Sequence, residues 1–178
     1  MGKNIIILGS TGSIGMSTLN IIRKDKKKFK VSLLTTNKNI NKIYKQAIEF
    51  KVKKIVIFDN VSYQKSLKKF KKKNIKVFLT IKDALNKNNK KLYLIVNAIS
   101  GIDGLEPSIH SIKHTKNFAI ANKESIICGW DFIEKELKKN NTNFIPLDSE
   151  HFSIWSLLKG EKHNNIKKIY LTASGGPF

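Results

Sequence analysis

Short, continuously apolar runs alternate with amphipathic, lysine-rich segments along this chain, and that alternation restricts it to few folds. Strands are expected over 4–8, 30–35, 54–58, 75–79, 93–97, 117–121, 143–146 and 167–173. Helices are expected over 13–24, 40–51, 61–73, 81–88, 104–114, 123–140 and 151–158. Runs such as Ile5-Ile6-Ile7-Leu8 are apolar throughout, as in strands covered on both faces. Strand–helix alternation of this kind gives a parallel sheet between two helical layers, and right-handed crossovers make it doubly wound. The repeating unit changes near Pro146, where Asp148-Ser149-Glu150-His151 and a polar Lys/Asn segment follow. The expected organisation is an α/β unit over residues 1–146 and the start of an α+β unit over 147–178, whose last residues, Ser174-Gly175-Gly176-Pro177-Phe178, look like the middle of something longer.

With 178 residues, 40% of them hydrophobic, the chain can bury a real core. Its formal net charge of +21 raises the question of a nucleic-acid partner. Nearly all of that charge is lysine; Arg23 is the only arginine, and lysine rises together with asparagine and isoleucine. Sequence-specific readers of nucleic acid rely on bidentate arginine contacts. The lysine tracts at 26–28, 71–73 and 138–139 fall at helix ends, where they suit the helix dipole. The expected reading is a solvated lysine surface with no nucleic-acid partner. A single cysteine, Cys128, rules out an internal disulfide. No apolar run approaches the ~20 residues of a membrane span, and the start leads directly into a strand. A cytoplasmic protein with no membrane association is expected.

Gly9-x-x-Gly12-x-x-Gly15 lies between the first strand and the first helix. Glycines there permit a tight turn, close approach of a phosphate and close helix–strand packing. The free N–H groups and positive dipole of the helix that starts at Ser13 can hold a pyrophosphate. The spacing differs from the usual G-x-G-x-x-G, and a glycine turn without a ligand is the alternative. At the end of the second strand, Thr35-Thr36-Asn37-Lys38-Asn39 contains no acid for a ribose 2′-hydroxyl. Lys38, with Asn37 and Asn39, suits a 2′-phosphate, which favours NADPH over NADH.

Asp148 and Glu150 flank Ser149 beyond a strand. They can share a hard divalent cation, Mg²⁺ or Mn²⁺, or they can be ordinary acids at a helix N-terminus. Asn122-Lys123-Glu124 follows another strand, at the sheet edge where open α/β proteins bind ligands. Lys123 can bind a polar or anionic substrate group; equally, Asn122 can cap the helix with Glu124 in its first turn. His110 and His114 lack the glutamate of a zinc-protease motif. His151 adjoins the acidic pair, and His163 lies in a polar loop. Cys128 has no His or Cys partner at a telling spacing.

"ILGSTGSIG", "IANKES", "PLDSEH" and "LTASGGPF", in that order, resemble the 1-deoxy-D-xylulose 5-phosphate reductoisomerase family over essentially the whole chain. The resemblance implies a Rossmann-like NADPH domain over 1–146 and the beginning of the catalytic, metal-binding domain over 147–178. It implies conversion of 1-deoxy-D-xylulose 5-phosphate to 2-C-methyl-D-erythritol 4-phosphate, in isoprenoid biosynthesis, with NADPH and Mg²⁺ or Mn²⁺. Thr11, Gly12, Ser13 and Ile14 would line the pyrophosphate, and Lys38 and Asn39 would contact the 2′-phosphate. Asn122 and Glu124 would sit near the cofactor, and Lys123 would bind substrate hydroxyls. Asp148 and Glu150 would be metal ligands, with Ser149 and Ser174 reaching the substrate. The family often has glycine where this chain has Asn37, and asparagine also tolerates positive φ. Members of the family run about twice this length, as a second domain requires. A third acidic ligand, a covering loop and phosphate-binding residues would lie beyond Phe178, so a fragment that binds NADPH without catalysis is the alternative. The whole protein would be a homodimer.

Overall fold

A computed structural model describes residues 2–85, 91–161 and 165–170. Its elements are β1 (Lys3–Leu8), α1 (Ser13–Lys24), β2 (Phe29–Thr36), α2 (Ile40–Glu49), β3 (Lys54–Ile57), α3 (Asn60–Lys71) and β4 (Lys76–Phe78). These are followed by α4 (Ile81–Leu85), β5 (Leu92–Asn97), α5 (Leu105–Ile112), β6 (Thr115–Ile120), α6 (Lys123–Lys139), β7 (Asn143–Pro146) and α7 (Ser149–Leu158). The seven strands form one sheet in the order β4-β3-β2-β1-β5-β6-β7, and every pairing is parallel. The chain winds outward from β1 to β4, then returns to lay β5 on the other side of β1. The strand order therefore reverses at β1, and crevices at such points are where this architecture takes ligands.

The apolar runs divide by the two-residue period of a strand. Ile5 and Ile7 face one layer with Val31, Leu34, Ile55 and Ile57, packed on Leu19 and Ile22 of α1, Ile43 and Ala47 of α2, and Phe70 of α3. Ile6 and Leu8 face the other with Leu33, Val56, Ile95 and Phe118, packed on Leu85 of α4, Ile112 of α5, and Ile133 and Leu137 of α6. Burying each such side chain stabilises the fold by about 1.5–3 kcal/mol. The single arginine is structural: Arg23 of α1 makes a forked ion pair with Glu49 of α2, at 2.5 and 2.9 Å. Among the described residues, no helix is long and apolar enough to cross a membrane.

Four expected elements differ. A 3-10 turn, Ile102–Gly104, precedes α5, which ends at Ile112 rather than at 114. α6 bends at Gly129 (φ −137°), where a side chain would run into Leu105. α7 begins at Ser149, two residues earlier than expected, because Asp148 caps it. The strand expected over 167–173 does not form in its described part: Lys167 to Tyr170 are irregular and exposed, with no neighbouring strand to complete a ladder. Residues 171–173, and the end of the helix expected over 81–88, lie outside the described residues.

Candidate functional site: the carboxyl edge of the sheet

Gly9, at the tip of β1, has φ +75°, and a Cβ there would sit 2.6 Å from the Ala98 carbonyl oxygen. A Cβ on Gly15 would overlap the Gly9 carbonyl oxygen and the Ser10 backbone. Both glycines are thus demanded by the chain's own packing. Gly12 is not: a Cβ there would meet only ordinary contacts, 3.5 Å from Gly9 O and 3.9 Å from Ala98 O, and its φ is −78°. Gly12 is the N-cap of α1 and has no capping side chain, so the exposed first turn at Ser13 and Ile14 offers its N–H groups outward. The missing side chain at Gly12 leaves open a space that a phosphate can enter.

The loop is tied to β2. Gly9 N–H donates to Thr35 Oγ1 (2.8 Å), Ser10 N–H donates to the Thr35 carbonyl (2.9 Å), and the Thr11 and Thr36 hydroxyls lie 2.8 Å apart. Gln46 of α2 holds Ser10 from the other side. Ser10, Thr35, Thr36 and Gln46 were not singled out by their sequence pattern. Their signal was there to read: two threonines follow Leu33-Leu34 at the end of β2, and a glutamine shares the apolar stripe of Ile43 and Ala47.

Beyond β2, Asn37 keeps a negative φ, so asparagine at this position brings no strain. Asn39 caps α2, its Oδ1 accepting from Lys42 N–H (3.1 Å), which leaves its NH₂ to donate outward. Lys38 Nζ is exposed and lies 4.0 Å from Asp59 Oδ1. Hydrogen bonds from Ser62 hold the Asp59 carboxyl below its ordinary range, against some desolvation and with help from Lys38 and Lys65. A cavity of about 590 Å³ is lined by Lys38, Asn39, Ile40, Asn41, Lys65 and Lys69. Lys38 at the start of α2, with Lys65 and Lys69 of α3 facing it, makes this a seat for an anion.

Asn122 starts α6 but does not cap it with its side chain. Its amide instead donates to the carbonyl oxygens of Ile99 and Gly101, pinning the loop after β5, and Ser125 Oγ joins it on Gly101 (3.3 Å). This corrects the capping alternative: the amide is turned away from the α6 N–H groups by those two carbonyls. Asn122 Oδ1 is buried with no partner. Lys123 and Glu124 are exposed in the first turn.

Asp148 serves two ends at once. Its Oδ1 accepts from His151 N–H (3.0 Å) and lies 2.6 Å from His151 Nδ1. Its Oδ2 is buried and has no hydrogen-bond partner. Desolvation pushes the Asp148 pKa up, but the backbone and ring of His151 outweigh it, and the carboxyl stays below its ordinary range. Glu150 is also held low, by its own N–H and by Ser149 Oγ at 2.9 Å, with Lys123 helping and Asp148 opposing. The structure therefore gathers Lys123, Asp148, Ser149 and Glu150. A buried carboxylate oxygen without a donor, beside a second ionised carboxylate, is an arrangement that a hard divalent cation completes. Among the described residues no group of three or more metal-ligating side chains forms. His110 pairs with Glu106 (3.6 Å), and Cys128 is exposed. Ser174 and His163 lie outside the described residues.

The sequence matches the description of 1-deoxy-D-xylulose 5-phosphate reductoisomerase over residues 5–129, and that of the C-terminal domain of the same enzyme over 144–178. The chain belongs to the 1-deoxy-D-xylulose 5-phosphate reductoisomerase family. It is 55% identical, over 99% of its own length, to the reductoisomerase of Pelagibacter ubique, and covers 46% of that protein. The chain thus spans about half the length of the curated reductoisomerases it matches. The reductoisomerase of Zymomonas mobilis in complex with NADPH superposes with a TM-score of 0.78 at 28% identity, over 93% of this chain and 43% of that one. A reductoisomerase in complex with NADPH, fosmidomycin and magnesium superposes at 0.79 and 29% identity, over 86% of this chain and 38% of that one.

Proposed function

We propose that this chain holds NADPH and contributes two metal ligands for the reductoisomerase reaction, the conversion of 1-deoxy-D-xylulose 5-phosphate to 2-C-methyl-D-erythritol 4-phosphate. The observation that carries the reading is Gly12, a glycine that the chain's own packing does not require, set at a helix N-terminus where the strand order reverses. Solved relatives that superpose on the chain were crystallised with NADPH and with magnesium.

In this reading Thr11, Gly12, Ser13 and Ile14 line the pyrophosphate, with the Gly12 N–H kept by the Gly9 carbonyl, and Lys38 and Asn39, beside Asn37, hold the 2′-phosphate. Asn122 fixes the loop beside the nicotinamide end, with Glu124 near it. Asp148 and Glu150 hold Mg²⁺ or Mn²⁺. Lys123 and Ser149 orient the substrate's hydroxyl groups, and Ser174 joins them. When bound, NADPH supplies hydride and the cation supplies Lewis acidity at the substrate oxygens. The division into a cofactor unit (1–146) and the start of a catalytic unit (147–178), a homodimer of the whole protein and a cytoplasmic setting belong to the same proposal.

A second reading, cofactor binding without turnover, is favoured by the pair, rather than trio, of carboxylates that the described residues bring together. One experiment separates the two. The chain is titrated with NADPH and NADH by nucleotide fluorescence at two salt concentrations, then assayed with substrate and Mg²⁺. Tighter binding of NADPH than NADH supports the cofactor site, and turnover decides between the readings. No binding of either nucleotide overturns both.

A further inference from the structure

Gln46 is 8% exposed and sits in the apolar stripe of α2 beside Ile43 and Ala47. A primary amide in such a place costs stability unless both of its ends are paired. Both are, and by one residue: Oε1 accepts from Ser10 Oγ at 2.8 Å, and Nε2 donates to the Ser10 carbonyl at 2.9 Å. Leucine or methionine would fill the stripe but leave the buried Ser10 carbonyl without its donor, so glutamine serves the loop rather than the packing of the helix. What glutamine adds is a two-point grip on the loop between Gly9 and Gly12.

α2 also carries the other half of the cofactor site. Lys38 and Asn39 stand immediately before its first residue, and Gln46 lies about 9 Å along the helix from that end. A helix of this length is a stiff spacer. We infer that Gln46 is a positioning residue for cofactor choice: it sets the distance between the pyrophosphate cradle and the 2′-phosphate seat, so that NADPH engages both at once. The inference rests on the NADPH reading above. A ligand with two contacts gains from the second only if the spacing is preset. NADH, lacking the 2′-phosphate, uses the cradle alone and depends less on the spacing. Thr35 and Thr36 hold the same loop from the end of β2 that leads to Lys38, and Gln46 adds a second hold from α2 itself.

The test is a set of titrations with NADPH and NADH on the wild-type chain, Gln46→Leu, Ser10→Ala, Lys38→Ala and the Gln46→Leu/Lys38→Ala double variant. Gln46→Leu is expected to weaken NADPH about tenfold and NADH about threefold or less, with a lowered melting temperature because the buried Ser10 carbonyl loses its donor. In the double variant the two losses are expected to be smaller than additive, because the spacing no longer matters once the 2′-phosphate contact is gone. Ser10→Ala, which removes one of the two bonds, moves both affinities in the same direction by less and serves if Gln46→Leu does not fold. Equal weakening of both nucleotides, strictly additive losses or unchanged affinities would overturn the inference while leaving the NADPH site standing. A wild-type chain that binds neither nucleotide would overturn the NADPH reading, and this inference with it.

Discussion

Between β1 and β2 the chain holds its own loop. Gly9 and Gly15 fit against backbone, Thr35 and Gln46 grip Ser10, and Ile5 to Leu8 and Leu33 to Thr36 behind them are buried. At the far end of the same sheet edge, α7 buries none of its residues, Phe152 and Leu157 are exposed, and one oxygen of Asp148 is buried without a partner. Both ends lie at strand carboxyl termini, yet only the first is set in advance by contacts of its own. The difference teaches that, on the proposed reading, nucleotide binding and metal binding are separable. The glycine-loop end is preorganised, whereas the acidic end carries its carboxylates on a weakly anchored helix, where affinity for a cation would depend on what packs against it.

The sharpest way to break this comparison lies within the glycine loop. Gly15→Ala is expected to cost about 3 kcal/mol of stability, because its methyl group would meet backbone that cannot move aside. Gly12→Ala is expected to stay within about 0.5 kcal/mol of the parent, because its methyl group meets nothing closer than 3.5 Å. Urea unfolding of the two variants measures both, and equal losses would make Gly12 a packing residue. Next comes Gly12→Asp, which places a carboxylate where the pyrophosphate is to lie. NADPH affinity should fall about a hundredfold while Mn²⁺ affinity is unchanged.

Asp148→Asn probes the opposite end. Asparagine caps a helix as well as aspartate does, so α7 should persist. Mn²⁺ binding, followed by water-proton relaxation, should weaken about tenfold with NADPH affinity unmoved. A matching loss of NADPH affinity would mean that the two ends are coupled.

The smallest effect is on acid stability. Asp59, beside Lys38, and Glu49, paired with Arg23 at the far end of α2, have carboxyl pKa values below their ordinary ones. A depressed carboxyl contributes stability that is present above its unfolded pKa and is lost as pH falls through the folded one. The melting temperature should therefore decline as pH drops below about 4, and Asp59→Asn should decline less steeply. An identical slope would remove Asp59 from the account.

The strands and the order of elements could be read from the sequence because burial on both faces makes the middle of the sheet nearly continuously apolar, as Ile5 to Leu8 show. The glycine loop was legible for the same reason: it interrupts that pattern at a fixed place. Lys38 and the Asp148/Glu150 pair could be named as candidates, but not whether Asp148 caps a helix; in the structure one of its oxygens caps α7 and the other is buried without a partner. Gln46 and Asn122 were harder. Their roles depend on partners 36 and 23 residues away, on elements that only the folded sheet brings together. The strand expected over 167–173 failed in its described part because apolar content alone does not supply a neighbour to pair with.

The account's central claim is that the β1–β2 edge of this chain is an NADPH site. The most direct test is an amide correlation spectrum of the ¹⁵N-labelled chain during titration with NADPH. Saturable shifts are predicted for Thr11, Gly12, Ser13 and Ile14, and for Lys38, Asn39 and Asn41, with α7 unmoved. Shifts spread over the lysine-rich helix ends, or absent from the glycine loop, would contradict it.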